Sequence, residues 1–160
     1  MKNLFISLMI FVVLQFSALY QNCFAESFCS NDIDVKTEKG KIEAVLEKLS
    51  TAVQTKNMEL YSEVFAHNKN IIIIGPDSKE MAFDWTTLAY IKNQQLKDLK
   101  NITISSKKQK IKIDSSRSAA RYFVLSDLSF VSGDIPFQVT GVRETGVLEK
   151  ENGKWVIVKV

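Results

Sequence analysis

Few residues in this chain have the types and spacing for chemistry. Gly75-Pro76-Asp77-Ser78-Lys79-Glu80 sets two carboxylates around a hydroxyl, the side chains a general acid or base is made from. Asp and Ser are also the residues that satisfy turn backbone, which is the plainer reading of a stretch opened by Gly-Pro. His67, the sole histidine, has the ordinary pKa of a general base. It follows Phe65-Ala66 at the end of a predicted helix, however, where a cation is favourable without any reaction. No phosphate-cradling glycine loop, nucleophile elbow or paired histidines accompany these residues. A single histidine without a Cys/His cluster leaves no zinc site with the usual ligands. Neither a metal nor a cofactor is expected, and no catalytic residue is assigned.

Groups suited to holding a ligand are easier to find. Ser126 interrupts the alternating apolar series Tyr122, Val124, Leu128, and Arg143 and Thr145 share the parity of Val147. If that parity faces inward, the Arg143 fork can pair with a carboxylate ligand. If it faces outward, Arg143 pairs with a nearby Glu144 or Glu149, and parity alone leaves both readings open. Tyr61, Trp85, Tyr90 and Tyr122 offer apolar wall with polar tips, although aromatics at such spacing also serve a core.

The elements that must position these groups are legible. Ile42, Val45, Leu46, Leu49 and Val53 recur every three or four residues from about Thr37 and form one buried helix face. Asn57 caps a short second helix with Leu60, Tyr61, Val64 and Phe65 on its apolar side. Asn70 to Ile74 is a β-branched run closed by Gly75-Pro76-Asp77, predicted as a buried strand and turn. Asp84 then caps a third helix whose Trp85, Leu88, Ile91 and Gln95 share a face. Everything after Asn101 reads as extended. The apolar alternation slips between Ile102/Ile104 and Ile111/Ile113, as one inserted residue within Ser105 to Lys110 would cause. Ser118 to Val131 is apolar on both faces, Val139 to Lys150 pairs back, and Asn152-Gly153 turns the chain into Lys154 to Val160. Helices followed by a bent, mostly antiparallel sheet make an α+β domain, and the space between a bent sheet and its helices opens as a pocket.

Residues 1–25 stand apart. Lys2 precedes a nearly continuous apolar run from Leu4 to Leu19, and Cys23-Phe24-Ala25 sets small residues three and one positions before a cut. This is the pattern of a secretory signal peptide cleaved after Ala25; Ser7, Gln15 and Ser17 weaken a membrane anchor. The expected product is a secreted or periplasmic protein with no stable membrane insertion, a flexible segment over residues 26–36 and one domain over 37–160. One domain of that size buries about two thirds of its unfolded surface. Cys29 is then the lone cysteine, so no internal disulfide is expected and the thiol is incidental. With 21 basic and 18 acidic side chains in the whole chain, the charge is too balanced to imply nucleic acid as a partner. Lys107-Lys108-Gln109-Lys110-Ile111-Lys112 lacks stacking aromatics and reads as a solvated sheet edge.

The order helix, helix, strand, turn, helix, sheet, with Gly-Pro-Asp-Ser-Lys-Glu after the strand and Arg143-Glu-Thr-Gly-Val-Leu-Glu-Lys-Glu-Asn-Gly-Lys-Trp-Val-Ile-Val near the end, resembles the SnoaL-like branch of the nuclear transport factor 2-like superfamily. The final hairpin is also similar to the association domain of calcium/calmodulin-dependent kinase. The resemblance covers about residues 37–160 and implies a cone of helices packed on a curved sheet. It specifies activity poorly, because the superfamily hosts isomerases, cyclases, dehydratases, oligomerisation modules and binding proteins. The tyrosine and aspartate that ketosteroid isomerases need fall here on Leu49 and Gly75, neither of which can move a proton. The resemblance therefore favours a small-molecule-binding or accessory protein. The competing classes are a homo-oligomeric assembly module, with Phe123 and Leu125 on the outer sheet face at a homodimer contact, and an isomerase-, cyclase- or hydrolase-like enzyme with an unusual acid-base site.

Overall fold

The computed structural model describes residues 34–68, 71–75 and 80–160. The expected leader, its cleavage point, Cys29, Asp77 and Ser78 lie outside the described residues. The chain divides into two units, residues 1–37 and 38–160. Of the first, residues 34–37 are described and are helical, so regular structure begins within the segment expected to be flexible. The second unit carries three helices and all the described strands.

Helix α1 (residues 38–54) turns Ile42, Leu46 and Ala52 into the core, with Val45, Leu49 and Val53 half-buried beside them. The expected stripe is the packed face. α1 ends in a Schellman motif: Lys56 takes a left-handed φ of 54°, its N–H reaches the Val53 carbonyl at 3.2 Å, and Asn57 N–H reaches Ala52 O at 2.8 Å. Asn57 then caps α2 (Met58–Val64), accepting from the N–H groups of Glu59 and Leu60. Asp84 does the same for α3 (Trp85–Lys97), accepting from Thr87 N–H at 2.8 Å and Thr87 Oγ1 at 2.8 Å. These Thr87 bonds hold its carboxyl below the usual range.

Two short strands, β1 (Ile73–Ile74) and β2 (Met81–Ala82), form a small antiparallel pair. The main sheet is antiparallel, with order β3 (Leu99–Ile113), β4 (Ala119–Ser132), β5 (Ile135–Glu151), β6 (Lys154–Lys159). The run from Ile71 to Ile74 is not a buried strand throughout. Ile71 is fully buried, whereas Ile72 and Ile74 are exposed. The segment adds in parallel to the free edge of β6, through Ile72 N–H to Val158 O, Val160 N–H to Ile72 O and Ile74 N–H to Val160 O, so only alternate side chains meet the core.

The curvature has identifiable causes. On β3 the register slips between Ser106 and Lys108, placing the extra residue at Lys107, inside the predicted window. On β5 a second slip falls between Val142 and Val139, where Gly141 has φ of 70°. Asp127 on β4 joins the two: it accepts from Gly141 N–H at 3.0 Å and pairs with Lys107 Nζ at 3.4 Å. Those contacts hold its carboxyl below the usual range. The last hairpin turns at Asn152 and Gly153, both at positive φ, between paired Glu151 and Lys154.

The helices meet the curved sheet through one apolar core that includes Ile42, Leu46, Tyr61, Leu148, Trp155 and Ile157. A charge sits at its edge. Glu38 is buried and receives Trp155 Nε1 at 2.6 Å, Lys150 Nζ at 2.7 Å and Lys41 Nζ at 2.8 Å. Lys150 also lies over the Trp155 ring, 5.1 Å from its centroid. The Lys150 bond and then the Lys41 bond, opposed by burial, bring the Glu38 carboxyl down to about 2 from 4.5. The Lys41 amine is exposed and Lys150 is partly so, and water screens part of these attractions. A carboxyl depressed on folding stabilises the fold above its unfolded pKa and loses that contribution as pH falls through its folded pKa. Stability should therefore decline between about pH 4.5 and 2. Glu38→Gln should cost about 1–3 kcal/mol at neutral pH, the range for hydrogen bonds to a charged group, and should flatten that decline. Parallel acid-unfolding curves for the two proteins would contradict this assignment.

Candidate functional site

Between α1, α3 and the concave face of β4 and β5 lies a cavity of about 450 Å³. Its walls are mostly apolar, with Leu46, Leu49 and Val53 from α1, Leu88 and Ile91 from α3, and Val124 from β4. Into it come the polar groups Ser50, Tyr61, Glu80, Lys92, Gln95, Ser126 and Glu144.

Glu144 is held from behind the lining by Tyr122, whose phenol donates to Glu144 Oε1 at 2.6 Å. Local sequence makes the contact possible. Tyr122 is directly opposite Gly146, and Val124 is opposite Glu144. A Cβ at 146 would run into the Tyr122 ring and the Lys159 carbonyl, so glycine lets the ring lie flat across β5 and reach the next inward residue. Burial first, then the Glu144 charge, push the Tyr122 hydroxyl far above its usual pKa, and the same two causes raise Tyr61. Both phenols remain donors at any physiological pH.

Glu80 reaches the rim by a similar device. Gly75 N–H bonds the Glu80 carbonyl at 2.8 Å, and the Glu80 side chain fills the space a Cβ at 75 would need. The position where the isomerase-like relatives would place a base thus has no side chain of its own, and a carboxylate from five residues later covers it. Lys92 is half-buried on α3, with its amine 6.0 Å from the Tyr61 ring centroid. Burial lowers its pKa, opposed by the charges of Glu80 and Glu144. Among the described residues no group of three or more His, Cys, Asp or Glu side chains could hold a metal ion.

Of the residues the sequence singled out, Tyr61 and Ser126 come together in the cavity, while Tyr122 lies outside its lining and reaches it only through the bond to Glu144. Arg143 and Thr145 border it along the backbone, but their side chains are exposed on the opposite parity. The register decides this: Arg143 is opposite Leu125 and Thr145 opposite Phe123 on the outer face, so the inward residues of β5 are Val142, Glu144, Gly146 and Leu148. Arg143 is therefore not a cation for a ligand inside. Trp85 lies outside the cavity lining and stacks on His67 at 4.4 Å. Tyr90 is 67% exposed. His67 Nε2 lies 2.9 Å from the Ser62 carbonyl at the end of α2 and also outside the lining, in keeping with a helix-end role. Asp127 is spent on the two bulges. Glu144 and Lys92 do not stand out in the sequence, although counting back from the Asn152-Gly153 turn with Trp155 inward does place Glu144 on the inner face.

A family model for the SnoaL-like domain matches residues 42–160. The chain belongs to that family. Solved structures agree on the fold. A nuclear transport factor 2-like superfamily protein from Salmonella enterica superposes with a TM-score of 0.70 at 20% identity, covering 78% of this chain and 89% of that one. A protein from Xanthomonas campestris named for the calcium/calmodulin dependent protein kinase II association domain gives 0.61 at 17%, covering 74% and 81%. One from Shewanella frigidimarina, named as a candidate ketosteroid isomerase, gives 0.57 at 21%, covering 72% and 89%. Comparison with curated proteins gives no match. At these identities the neighbours of this SnoaL-like chain establish the cone and leave its activity open.

The Gly146 contact gives a direct test. Gly146→Ala should displace the Tyr122 ring and break its bond to Glu144. Both variants, Gly146→Ala and Tyr122→Phe, should lose stability, and Gly146→Ala by more, since overpacking adds about 1–3 kcal/mol. Thermal melts ranking Gly146→Ala as the milder change would contradict this packing.

Proposed function

We propose that this SnoaL-like domain is an exported binding or accessory protein that takes a small, mostly apolar molecule with a neutral polar head into the cavity. The observation that carries the reading is Glu144, a carboxylate set among apolar walls and held there from behind by the Tyr122 phenol at 2.6 Å. A few convergent polar groups in an apolar cavity of this volume are the usual make-up of a small-molecule site. Because Glu80 and Glu144 face Lys92, carboxylates are disfavoured relative to neutral ligands, which departs from the acid that an inward Arg143 would favour. Export rests on the leader-like pattern of residues 1–25.

A neutral fluorescent probe, N-phenylnaphthylamine, should bind with enhanced emission and be displaced by aliphatic alcohols, ketones or aldehydes better than by acids of equal length. Val124→Trp fills the cavity and should abolish that signal while the protein still unfolds cooperatively. Equal binding by the folded Val124→Trp protein would overturn the reading.

A specific observation also favours self-association. Beyond the bulge at Gly141 the concave face continues to the hairpin tip, where Phe137 stacks on Phe130 at 5.2 Å. There Ile135, Phe137 and Val139 are 63%, 43% and 44% exposed. Phe123 and Leu125 are only half-exposed, set opposite Lys110 and Thr145, and opposite Lys108 and Arg143, whose stems can cover them. A homodimer is therefore proposed through the hairpin rather than through Phe123 and Leu125. Native mass spectrometry of the secreted protein should show a chain beginning at Glu26 and a dimer that Phe137→Lys converts to monomer. A chain retaining residues 1–25 would sink export, and a monomer at high concentration would sink the dimer.

A further inference from the structure

Lys92 has no part in holding a neutral polar head, and its surroundings are unusual for a lysine. Most lysines keep the ammonium in water at the end of a flexible stem. This one rises from α3 between Leu88, Ile91 and Gln95, all of which line the cavity. Among the described residues its amine makes no hydrogen bond or ion pair, and it lies 6.0 Å from the centroid of the Tyr61 ring. The remaining charges that act on it are Glu80 from the β1–β2 turn and Glu144 from β5. From α2 it meets the Tyr61 phenol, which stays protonated. An amine desolvated by apolar walls has more of its neutral, nucleophilic form than one in water. The carboxyl groups beside it supply what an amine needs to expel water from an adduct: a nearby acid and base.

We propose that Lys92 captures small apolar aldehydes in this cavity as an imine, a covalent activity that rests on the cavity being a ligand site. The Nζ lone pair forms a bond to the carbonyl carbon while the C=O π pair moves to oxygen, which takes up a proton. The nitrogen of the resulting carbinolamine loses its protons, the hydroxyl leaves as water with one of them, and a C=N bond remains. Aldehyde and amine give imine and water, with no change of oxidation state. Glu80 and Glu144 line the same cavity and can relay these protons, and the Tyr61 phenol, which stays protonated in that lining, is a donor for the carbonyl oxygen.

The test is reductive trapping. Purified protein is mixed with a small excess of hexanal and sodium cyanoborohydride at neutral pH, and each lysine is followed by peptide mass mapping. Lys92 should gain the hexyl group about ten-fold faster than exposed lysines such as Lys48 or Lys108, as expected of an amine activated by desolvation. N-phenylnaphthylamine in the cavity should slow that one reaction and no other. Lys92→Arg keeps a cation but cannot form the imine, and should lose the fast phase while still binding the probe. If that variant does not fold, protection of native Lys92 by the probe decides the matter alone. Labelling of Lys92 no faster than the exposed lysines, or labelling unaffected by the probe, overturns the proposal. Probe binding without fast labelling removes the covalent activity and leaves the binding site intact; absence of both removes the site itself.

Discussion

The carboxylate of Glu38 accepts from the Trp155 indole across 117 positions of sequence, and the rest of the unit depends on that closure. It fixes the first helix to the last strand at the edge of the core. β6 in turn is the strand along which Phe65 and Ile72 make their parallel bridges. Through it the anchor sets the path of β1, the position of Gly75 and hence the carboxylate that leans over Gly75. A buried charge is tolerable only when its partners are all present, and here Lys150, Lys41 and Trp155 supply them from two faces. The same charge makes the closure acid-sensitive.

Once the cone is closed, backbone shape decides what its cavity can recognise. Among the features that bend the sheet or thin it are the bulge at Lys107, the bulge at Gly141, and the missing side chain at Gly146. The first two carry the apolar concave face past the helices to the exposed hairpin. The third lets Tyr122 lie down and reach Glu144. The result is a mostly apolar chamber whose polar groups include one phenol donor, two carboxylates, the hydroxyl of Ser126 and one half-buried amine. That combination is what the proposed preference for neutral carbonyl and hydroxyl compounds rests on.

Much of this was legible where the signal is local. The caps at Asn57 and Asp84, the stripe from Ile42 to Val53, the slip inside Ser105 to Lys110 and the inward Trp155 follow from side-chain chemistry and spacing within a few residues. The site was legible only in part, because strand parity is set over longer range. Arg143 and Glu144 are neighbours with opposite fates, and choosing between them needs the register from the Asn152-Gly153 turn. Ile72 and Ile74 read as core from composition alone, yet alternate outward because that segment joins an edge. Lys92 sits beside the helix stripe rather than on it, and nothing in its own neighbourhood of sequence marks it as buried. Glu80 enters the site only because Gly75 makes room, a relation between two residues that neither announces by itself.

On the proposed reading a small neutral molecule occupies the chamber beside Tyr61 and Glu144. Methyl-resolved NMR during titration with a saturating neutral ligand tests it most directly, since methyl groups report both on the chamber and on the exposed hairpin. Shifts concentrated at Leu46, Leu49, Val124 and Leu88, with intermolecular contacts to the Tyr61 ring, are the predicted result. Shifts confined to Ile135 and Val139 at the hairpin, with the chamber methyls unmoved, would contradict it.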